Sequence, residues 1–492
     1  MGEKIVGSRL FTRASEILLP CLTWVIITLP LWLSPFHPAV VAYFIIAFDL
    51  YFFYKSINTV YLAVVSYQKI QQSSKINYYE KLINLSHHQK THHFIIVPNY
   101  KEPLYKLEST IEAIIANDFI SKNLFLVLAF EEREEEVNLK AKIIKRKFRR
   151  SFADIITVNH PLTENETPGK ASNQTYAARK VDEYVRKKNW SAKNVLITVC
   201  DADSHLPKNY FSYLSFTFLK DKDRLYHFYW APVFLYNNFW QLPFFVRMQA
   251  TLSSIVRLAF LGYRENLIQI STYSTNLWLL KQINFWDVDI IPEDWHIYLQ
   301  AFFKFGSLVR TIPLYTIVNG DAVYSGSVLK TSLNRYEQEK RWAWGVSDLG
   351  YAINKFFVTK HINTWVKLKK IFFLIETHLL WPTSFFLLTL SASIPPLINP
   401  VFKRTVLGFL LPKLSGFILT LSSSMLILYV YLDVKLRQKV NVETKLQALP
   451  LLLLQWYLLP FISFIFSSLP ALEAHTRLLL GKKIKYKVTE KV

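Results

Sequence analysis

The sequence contains few cysteines, no internal repeat and no low-complexity segment. Only two cysteines occur among 492 residues, Cys21 in an apolar run and Cys200 beside two aspartates. A disulfide framework is therefore excluded, and a reducing, cytoplasmic environment suits the polar part of the chain. The first apolar run follows several basic residues but lacks a small-residue cleavage site, so we expect a membrane anchor and not a removable signal peptide.

Acidic residues are also few relative to basic ones. With 58 Lys and Arg against 36 Asp and Glu, the formal charge is +22, which suits a nucleic acid, an anionic membrane surface or a phosphorylated substrate. The chain shows no nucleic-acid-binding signature, and much of the excess charge flanks apolar runs, where the positive-inside rule explains it. No nucleic-acid partner is therefore expected, although a basic, membrane-tethered binding protein remains an alternative function.

Long apolar runs occupy both ends of the chain, and 51% of all residues are hydrophobic. A membrane-spanning helix needs about 20 apolar residues. Runs of nearly this length occur at Ile17–Leu33, Ala39–Tyr54, Ile371–Leu397, Val406–Leu432 and Leu449–Leu472. Five spans would leave the basic C-terminal tail outside, against the positive-inside rule. We therefore expect one late run to be interfacial or re-entrant, or to contain a hairpin, and Lys367–Trp381 is the candidate for a surface segment.

Between these runs, short β-branched segments alternate with longer helical ones from His93 to Cys200. This alternation indicates βαβ units in a mostly parallel sheet, which is an α/β fold. Four strands are predicted, in HFIIVPNY, NLFLVLAF, DIITVN and NVLITV. The run EEREEEVNLKAKIIKRKFRR predicts a solvated helix with an acidic first turn, a basic last turn and a Glu136–Lys140 pair. Because ligands of open α/β sheets bind beyond the carboxyl ends of the strands, the loops there form the candidate site.

Three short motifs carry candidate chemistry. Asp201 and Asp203, in CDADSH, face the same way in an extended chain and can bind a hard divalent cation; a turn with Asx hydrogen bonds is the alternative. TPGKASN offers Lys170 and helix-start amides to a phosphate, or is simply a helix entry. In IIPEDWHIYLQ, Glu293 and Asp294 begin a helix, where acidic residues act as caps or as a general base.

A fourth motif, EQEKRWAWG, follows at Glu337–Gly345. Arg341 and Trp342 lie three and four residues beyond Gln338, so the three side chains share one face of a helix. Tryptophan and arginine are also common at the membrane–water interface, so an interfacial belt is the alternative interpretation.

Together and in this order, the motifs resemble those of the membrane-integrated, processive family 2 glycosyltransferases, the cellulose, chitin, hyaluronan and mannan synthases. The resemblance covers about Thr91–Gly345 and extends to the apolar flanks and the closing YKVTEK. It implies a GT-A-like, mostly parallel sheet domain flanked by transmembrane helices. It also implies inverting transfer of a sugar from a UDP or GDP sugar to a growing glycan. Addition of one sugar to a lipid or short glycan is the enzymatic alternative.

The resemblance also implies roles for individual residues. Asp203 would ligate Mg²⁺ or Mn²⁺, and Asp294, with Glu293 beside it, would be the catalytic base. The residues implied for the nucleotide sugar are Pro98, Tyr100, Glu102, Glu131, Lys170 and Asp201. The residues implied for the diphosphate and the acceptor are Gln338, Arg341 and Trp342.

The sequence departs from the family pattern at three places. AFEERE stands where many relatives carry an aspartate pair, so Glu131 or Glu132 would contact the nucleotide. Lys101-Glu102 stands where Asn-Glu is common. The segment YRENLIQISTYSTNLWLL lies where the acceptor-side strand is expected but lacks the usual glycine run.

An integral protein of a bacterial-type plasma membrane, with its catalytic domain in the cytoplasm, is therefore expected. The expected parts are two transmembrane helices in 1–56, a linker or interfacial segment in 57–90, the GT-A domain in 91–345, interfacial helices in 346–370, transmembrane helices in 371–474 and a basic cytoplasmic tail in 475–492.

Overall fold

The computed structural model describes residues 8–86, 88–119, 121–437 and 455–484. Contacts between residues divide the chain into two compact units. The helical unit consists of Met1–Val64, Trp240–Ala259 and Val323–Val492, and the sheet unit consists of Val65–Phe239 and Phe260–Ala322. This division differs from the contiguous domain 91–345 suggested by the sequence, because two parts of that range group with the apolar helices.

Helices alternate with strands through most of the sheet unit and continue without strands through the C-terminal half of the helical unit. In chain order, the α-helices of the described residues are α1 (Arg9–Leu33), α2 (Pro38–Ser73), α3 (Tyr78–Ile83), α4 (Leu104–Ile115), α5 (Val137–Phe148), α6 (Lys170–Lys187), α7 (Tyr210–Lys220), α8 (Phe244–Phe260), α9 (Leu277–Gln282), α10 (Glu293–Phe305), α11 (Val328–Ala343), α12 (Ser347–Val358), α13 (Thr364–Thr389), α14 (Ile394–Ile398), α15 (Pro400–Lys403), α16 (Val406–Ser424), α17 (Leu426–Leu436), α18 (Leu459–Ser463) and α19 (Leu469–Leu479).

Several of these helices are long and apolar enough to cross a membrane. Within the described residues, the five candidates are Arg9–Leu33, Pro38–Ser73, Thr364–Thr389, Val406–Leu436 and Trp456–Leu479. Large apolar side chains on them, such as Trp32, Phe417 and Ile427, are exposed, as lipid-facing side chains would be. The suggested surface segment Lys367–Trp381 lies inside α13, which is one of the five.

A seven-stranded sheet in the order β3-β2-β1-β4-β7-β5-β8 forms the centre of the sheet unit, and β6 pairs with β9 separately. Only β7 among the seven runs antiparallel to its neighbours, β4 and β5. The strands are β1 (His92–Asn99), β2 (Leu124–Glu131), β3 (Asp154–His160), β4 (Val195–Val199), β5 (His227–Trp230), β6 (Val233–Phe234), β7 (Tyr273–Asn276), β8 (Arg310–Pro313) and β9 (Val318–Asn319).

The central strands are apolar runs because helices cover them. Every residue of β2 and β4 is buried, as is usual for strands with both faces packed. Ile111 of α4, Ile144 of α5 and Phe211 of α7 belong to the same hydrophobic core as the strands. The core therefore fixes the strand ends, and with them the loops that carry polar residues.

The predicted α/β fold, with a mostly parallel sheet and flanking apolar helices, is confirmed. The predicted acidic first turn of α5 is wrong, because Glu131 ends β2 and the helix begins only at Val137. The predicted basic last turn is confirmed and is exposed, at Lys145–Lys147. Lys140 is buried and pairs with Glu134, so the predicted Glu136–Lys140 pair is wrong. Part of the last predicted span, residues 449–454, and the closing YKVTEK lie outside the described residues.

Candidate active site

Asp201 and the residues that surround it come from four different segments of the sheet unit. Asp201 follows β4, Lys170 begins α6, and Glu293 and Asp294 form the first turn of α10. Because β7 runs opposite to β4, with Tyr273 paired to Val199, the chain just before β7 also lies at the carboxyl end of β4. Strand direction and helix starts thus bring these polar groups to one edge of the sheet.

Lys170 lies at the centre of a group of ion pairs that we call the Lys170 cluster, formed by Lys170, Asp201, Ser271, Glu293 and Asp294. Its Nζ lies 3.0 Å from Asp201 Oδ1, 3.1 Å from Glu293 Oε1 and 3.5 Å from Asp294 Oδ1. It also donates a hydrogen bond of 2.9 Å to the Ser271 carbonyl oxygen. The lysine side chain is only 14% exposed, so three carboxyl groups share one ammonium group with little help from water.

Three carboxyl groups around one ammonium group in a buried site are not all ionised at neutral pH. Burial raises the pKa of Asp294 to about 8; Lys170 opposes this shift, and the carboxylates of Glu293 and Asp201 add to it. Burial alone would lower the pKa of Lys170, but the three carboxyl groups raise it well above its ordinary value. Lys170 therefore stays protonated, and Asp294 is a carboxyl group whose pKa matches a general base.

Asp203 is buried two residues beyond Asp201. Its Oδ2 accepts a hydrogen bond of 3.2 Å from the Asp321 backbone N–H, and the Asp321 carboxylate pairs with Lys106 at 3.1 Å. No three His, Cys, Asp or Glu side chains in the described part of the chain are grouped to hold a metal ion. One carboxylate fits a cation such as Mg²⁺ or Mn²⁺ that takes its other ligands from water and phosphate oxygens.

Tyr100 and Glu131, from the ends of β1 and β2, are linked through Arg133. The Arg133 guanidinium carbon lies 4.1 Å from the centre of the Tyr100 ring, and its Nε lies 2.5 Å from Glu131 Oε2. Glu131 is buried, whereas the Arg133 side chain is 40% exposed. Pro98 lies just before them in β1, opposite Ala129 of β2. The stacked ring and guanidinium form a flat, partly exposed group beyond the strand ends, where a base could stack.

Glu102 belongs to the loop after β1, which backbone contacts hold in place. Its N–H donates to Asn99 Oδ1 at 3.2 Å, and its carbonyl oxygen accepts from Lys140 Nζ at 2.8 Å. Lys140 also pairs with Glu134 at 2.6 Å, and Glu134 accepts a bond of 2.9 Å from the Lys101 N–H. The glutamate run at the end of β2 therefore supplies two buried carboxylates, Glu131 and Glu134. Glu134 is the one that holds the loop in place.

Gln338 lies on α11 in a buried set of contacts that we call the Arg335 network: Arg335, Gln338, Glu339 and Gln249. Arg335 pairs with Glu339 and donates to Gln249 Oε1 at 2.6 Å and to Gln338 Oε1 at 2.5 Å. Each of these acceptors satisfies a different guanidinium nitrogen. The network holds the motif glutamine in a fixed position on the helix.

Trp342 lies one helical turn beyond Gln338 and is contacted by two cations. The guanidinium carbons of Arg335 and Arg257 lie 4.9 and 5.5 Å from the centre of its ring. Arg341, beside it in sequence, is partly buried. The Trp342 ring, which the family resemblance assigns to the diphosphate or the acceptor, therefore already has guanidinium partners.

Sequence reasoning missed Ser271, Arg133 and Arg335. Ser271 lies in the segment that lacks the family's glycine run, so no motif marked it. Arg133 lies in the charged run interpreted as a solvated helix. Arg335 precedes Gln338 by three residues, and this i,i+3 spacing was the one signal that would have found it.

Comparison with known families identifies the class of enzyme. Residues 196–432, just under half of the chain, match the family model described as Glycosyl transferase family group 2. The match includes Asp201, Asp203, Glu293, Asp294 and the α11 motif. No curated protein matches the chain. The chain is therefore a glycosyltransferase, and residues 196–432 are the part that is similar to family group 2.

Several solved structures resemble the fold distantly. The mannosyltransferase PcManGT from Pyrobaculum calidifontis, in complex with GDP-Man and Mn²⁺, has 11% identity and a TM-score of 0.43, over 86% of this chain and 100% of that chain. Residues 1–349 of TarS from S. aureus have 10% identity and a TM-score of 0.36, over 68% of this chain and 90% of that chain. Likeness at this level carries no conclusion about substrate or metal.

Proposed function

We propose that the chain is an inverting, metal-dependent hexosyltransferase of the cellulose, chitin, hyaluronan and mannan synthase branch. It transfers a sugar from a UDP or GDP sugar to a growing glycan at the membrane. The observation that supports this most strongly is the Lys170 cluster. There, the carboxyl group of Asp294, with its raised pKa, is held close to Asp201 at the end of a parallel strand.

Asp294 acts as the base in this proposal. Its carboxylate takes the proton of the acceptor hydroxyl while the acceptor oxygen forms a bond to the anomeric carbon of the donor sugar. The bond from that carbon to the diphosphate oxygen breaks in line, and the nucleoside diphosphate leaves with the electron pair. One displacement of this kind inverts the anomeric carbon. A base with a pKa near the working pH is best matched to this proton transfer.

The nucleotide is assigned to the ends of β1, β2 and β4. Arg133 stacked on Tyr100 offers a flat group to the base, and buried Glu131 offers a carboxylate to its N–H groups. Asp201, held by Lys170, approaches the donor from β4. Pro98 and Glu102 shape the loop between them.

Asp203 is assigned to Mg²⁺ or Mn²⁺. When bound, such a cation neutralises the charge that develops on the leaving diphosphate. The single carboxylate suits a cation that arrives with the donor, since its remaining ligands would be diphosphate oxygens and water.

Gln338, Arg341 and Trp342 are assigned to the diphosphate and the acceptor sugar from the motif alone. Two features of the helical unit support a functional rather than a lipid-facing role. Gln338 is buried and fixed by Arg335, and the Trp342 ring is contacted by guanidinium groups. An interfacial belt would face lipid headgroups instead.

The membrane setting is also a proposal. Five candidate spans and the basic residues before the first of them favour an integral protein of a bacterial-type plasma membrane with the sheet unit in the cytoplasm. The acceptor would then be a glycan or a lipid-linked sugar at that membrane. The domain boundaries expected from the sequence are kept as part of this proposal.

The test is a screen of the purified full-length chain, in detergent or nanodiscs, against a panel of UDP and GDP sugars. Release of free nucleoside diphosphate with Mg²⁺ or Mn²⁺, and its loss in EDTA, is the expected result. Product length separates polymerisation from addition of one sugar, and the anomeric configuration of the product reports inversion. Equal release by Asp294→Asn, or full activity in excess EDTA, contradicts the proposal.

A further inference from the structure

Ser271 has a backbone conformation that side chains rarely adopt. Its φ is 70°, in the left-handed region that glycine occupies most easily. Such strain persists in a non-glycine residue only where the surroundings impose it. Ser271 lies two residues before β7, the antiparallel strand that begins where β4 ends.

All three polar groups of Ser271 contact other members of the Lys170 cluster. Its hydroxyl donates to Asp201 Oδ2. Its N–H donates to Asp294 Oδ2 at 2.6 Å, and its carbonyl oxygen accepts from Lys170 Nζ at 2.9 Å. In this left-handed conformation, one residue points its hydroxyl and its N–H at two different carboxylates.

Asp201 and Asp294 are therefore joined twice. Lys170 Nζ bridges their Oδ1 atoms, at 3.0 and 3.5 Å. Ser271 bridges their Oδ2 atoms, through its hydroxyl and its N–H. Glycine would accept the same backbone conformation at lower cost but has no hydroxyl for Asp201. Serine at this position therefore has a strained backbone but makes one hydrogen bond to a carboxylate that glycine could not make.

We propose that Ser271 is a positioning residue that holds Asp201 toward the donor and Asp294 toward the acceptor in one fixed relation. The hydroxyl acts on the donor side, and the N–H acts on the base. This rests on the proposed function, since it takes Asp201 to contact the nucleoside diphosphate and Asp294 to be the base. A purely conformational role, in which Ser271 only completes the turn into β7, is the alternative that the experiment excludes or supports.

Two substitutions separate the hydroxyl from the backbone. Ser271→Ala removes the hydroxyl and keeps the strain, whereas Ser271→Gly removes the hydroxyl and relieves the strain. Both keep the N–H and the carbonyl. Asn189→Gly is the matched control, because Asn189 also has a positive φ, 54°, but is exposed just after α6 and is not part of the Lys170 cluster.

The probes are UDP and GDP with Mn²⁺, measured by titration calorimetry on the full-length chain, beside thermal unfolding and steady-state transfer. We expect Ser271→Ala and Ser271→Gly to weaken binding of the preferred nucleotide equally, by about tenfold, as loss of a hydrogen bond to a charged group does. Their unfolding temperatures should differ, with Ser271→Gly the more stable of the two. Asn189→Gly should bind like the wild type.

Wild-type affinity in both Ser271 variants overturns the proposal. So does a pattern in which Ser271→Gly binds normally and only Ser271→Ala is impaired, because affinity would then follow strain and not the hydroxyl. A wild-type chain that binds neither UDP nor GDP contradicts the proposed function and this inference with it. If the wild type binds and transfers and both Ser271 variants do so equally well, only this inference is overturned and the proposed function stands.

Discussion

The Lys170 cluster and the Arg335 network are both buried, but their charges balance in opposite ways. In the first, three carboxyl groups share one ammonium group. In the second, Arg335 has one carboxylate, Glu339, and two neutral amide acceptors. Burial raises the pKa of Glu339, but the nearby guanidinium groups of Arg335 and Arg257 oppose that shift.

The difference shows how a buried polar group that can transfer a proton differs from one that holds a helix in place. Arg335 has an acceptor for each bonding nitrogen, so its network resists change and fixes α11. The Lys170 cluster has more acid than its single cation can satisfy, so it gains from a proton or another positive charge. Burial is common to both, and the count of opposite charges decides which one can do proton transfer.

The largest expected effect follows from removing the proton acceptor itself. Asp294→Asn should lower turnover by about 10²–10⁴, the usual contribution of a general base, while donor affinity changes by only a few fold. Glu293→Gln, one residue away on the same helix turn, is the matched control and should stay within about tenfold of wild-type turnover. Turnover and calorimetric nucleotide affinity check both variants. A lethal Glu293→Gln beside a mild Asp294→Asn would reverse the assigned roles.

Substitutions of the two charged residues of the Arg335 network should act mainly on stability. Glu339→Gln leaves a buried guanidinium group without a counterion, and we expect a loss of about 3–5 kcal/mol in the free energy of unfolding. The double variant Arg335→Met with Glu339→Leu should recover much of that loss, because neither charge is then buried alone. Thermal unfolding of the solubilised chain measures this. Equal stability of all three proteins would show that the pair is not coupled.

The pH dependence of transfer tests this comparison, because two substitutions should shift it in opposite directions. Burial raises the pKa of Asp294 to about 8, and the base must be ionised, so transfer should rise with pH through that value and fall below it. Lys170 lowers this pKa and Glu293 raises it. Lys170→Gln should therefore move the rising limb to higher pH and Glu293→Gln should move it lower, each by about one unit or more. Shifts of the same sign in both variants would be incompatible with this electrostatic account.

Much of the sheet unit could be predicted from sequence, because local patterns encode it. The apolar runs of β1, β2 and β4 and the helix that begins at Lys170 are visible as periodicity, and the helix start at Glu293 is visible as an acidic first turn. The direction of β7 is not visible, because a short polar strand has the same sequence pattern whether it pairs parallel or antiparallel to its neighbours. The part played by Ser271 depends on that direction and on a positive φ, so it could only be seen once the chain was folded.

The α5 region shows a second limit. A run of glutamates before basic residues predicts a solvated helix, and the pattern holds no sign that β2 extends to Glu131. Nor does it show that Glu134 turns inward to meet Lys140 at 2.6 Å. Long-range pairing of β2 with β3 sets where the helix begins. Local propensity gives way to tertiary context there.

The smallest expected effect concerns the Trp342 ring and its two guanidinium neighbours, at 4.9 and 5.5 Å. Trp342→Phe keeps an aromatic face, whereas Trp342→Leu keeps bulk without one. If cation–π attraction holds the ring, Trp342→Leu should lose about 0.5–2 kcal/mol more stability than Trp342→Phe. Trp344→Phe and Trp344→Leu, at a buried tryptophan two residues on, are the control pair and should differ less.

Unfolding of all four variants measures their stability, and transfer per folded molecule shows whether the Trp342 ring also serves the reaction. If the two Trp342 variants are equally stable but only the leucine one loses transfer, the ring acts on the substrate and the guanidinium contacts are incidental. If stability and transfer fall together, the ring supports α11 in the way that the Arg335 network does.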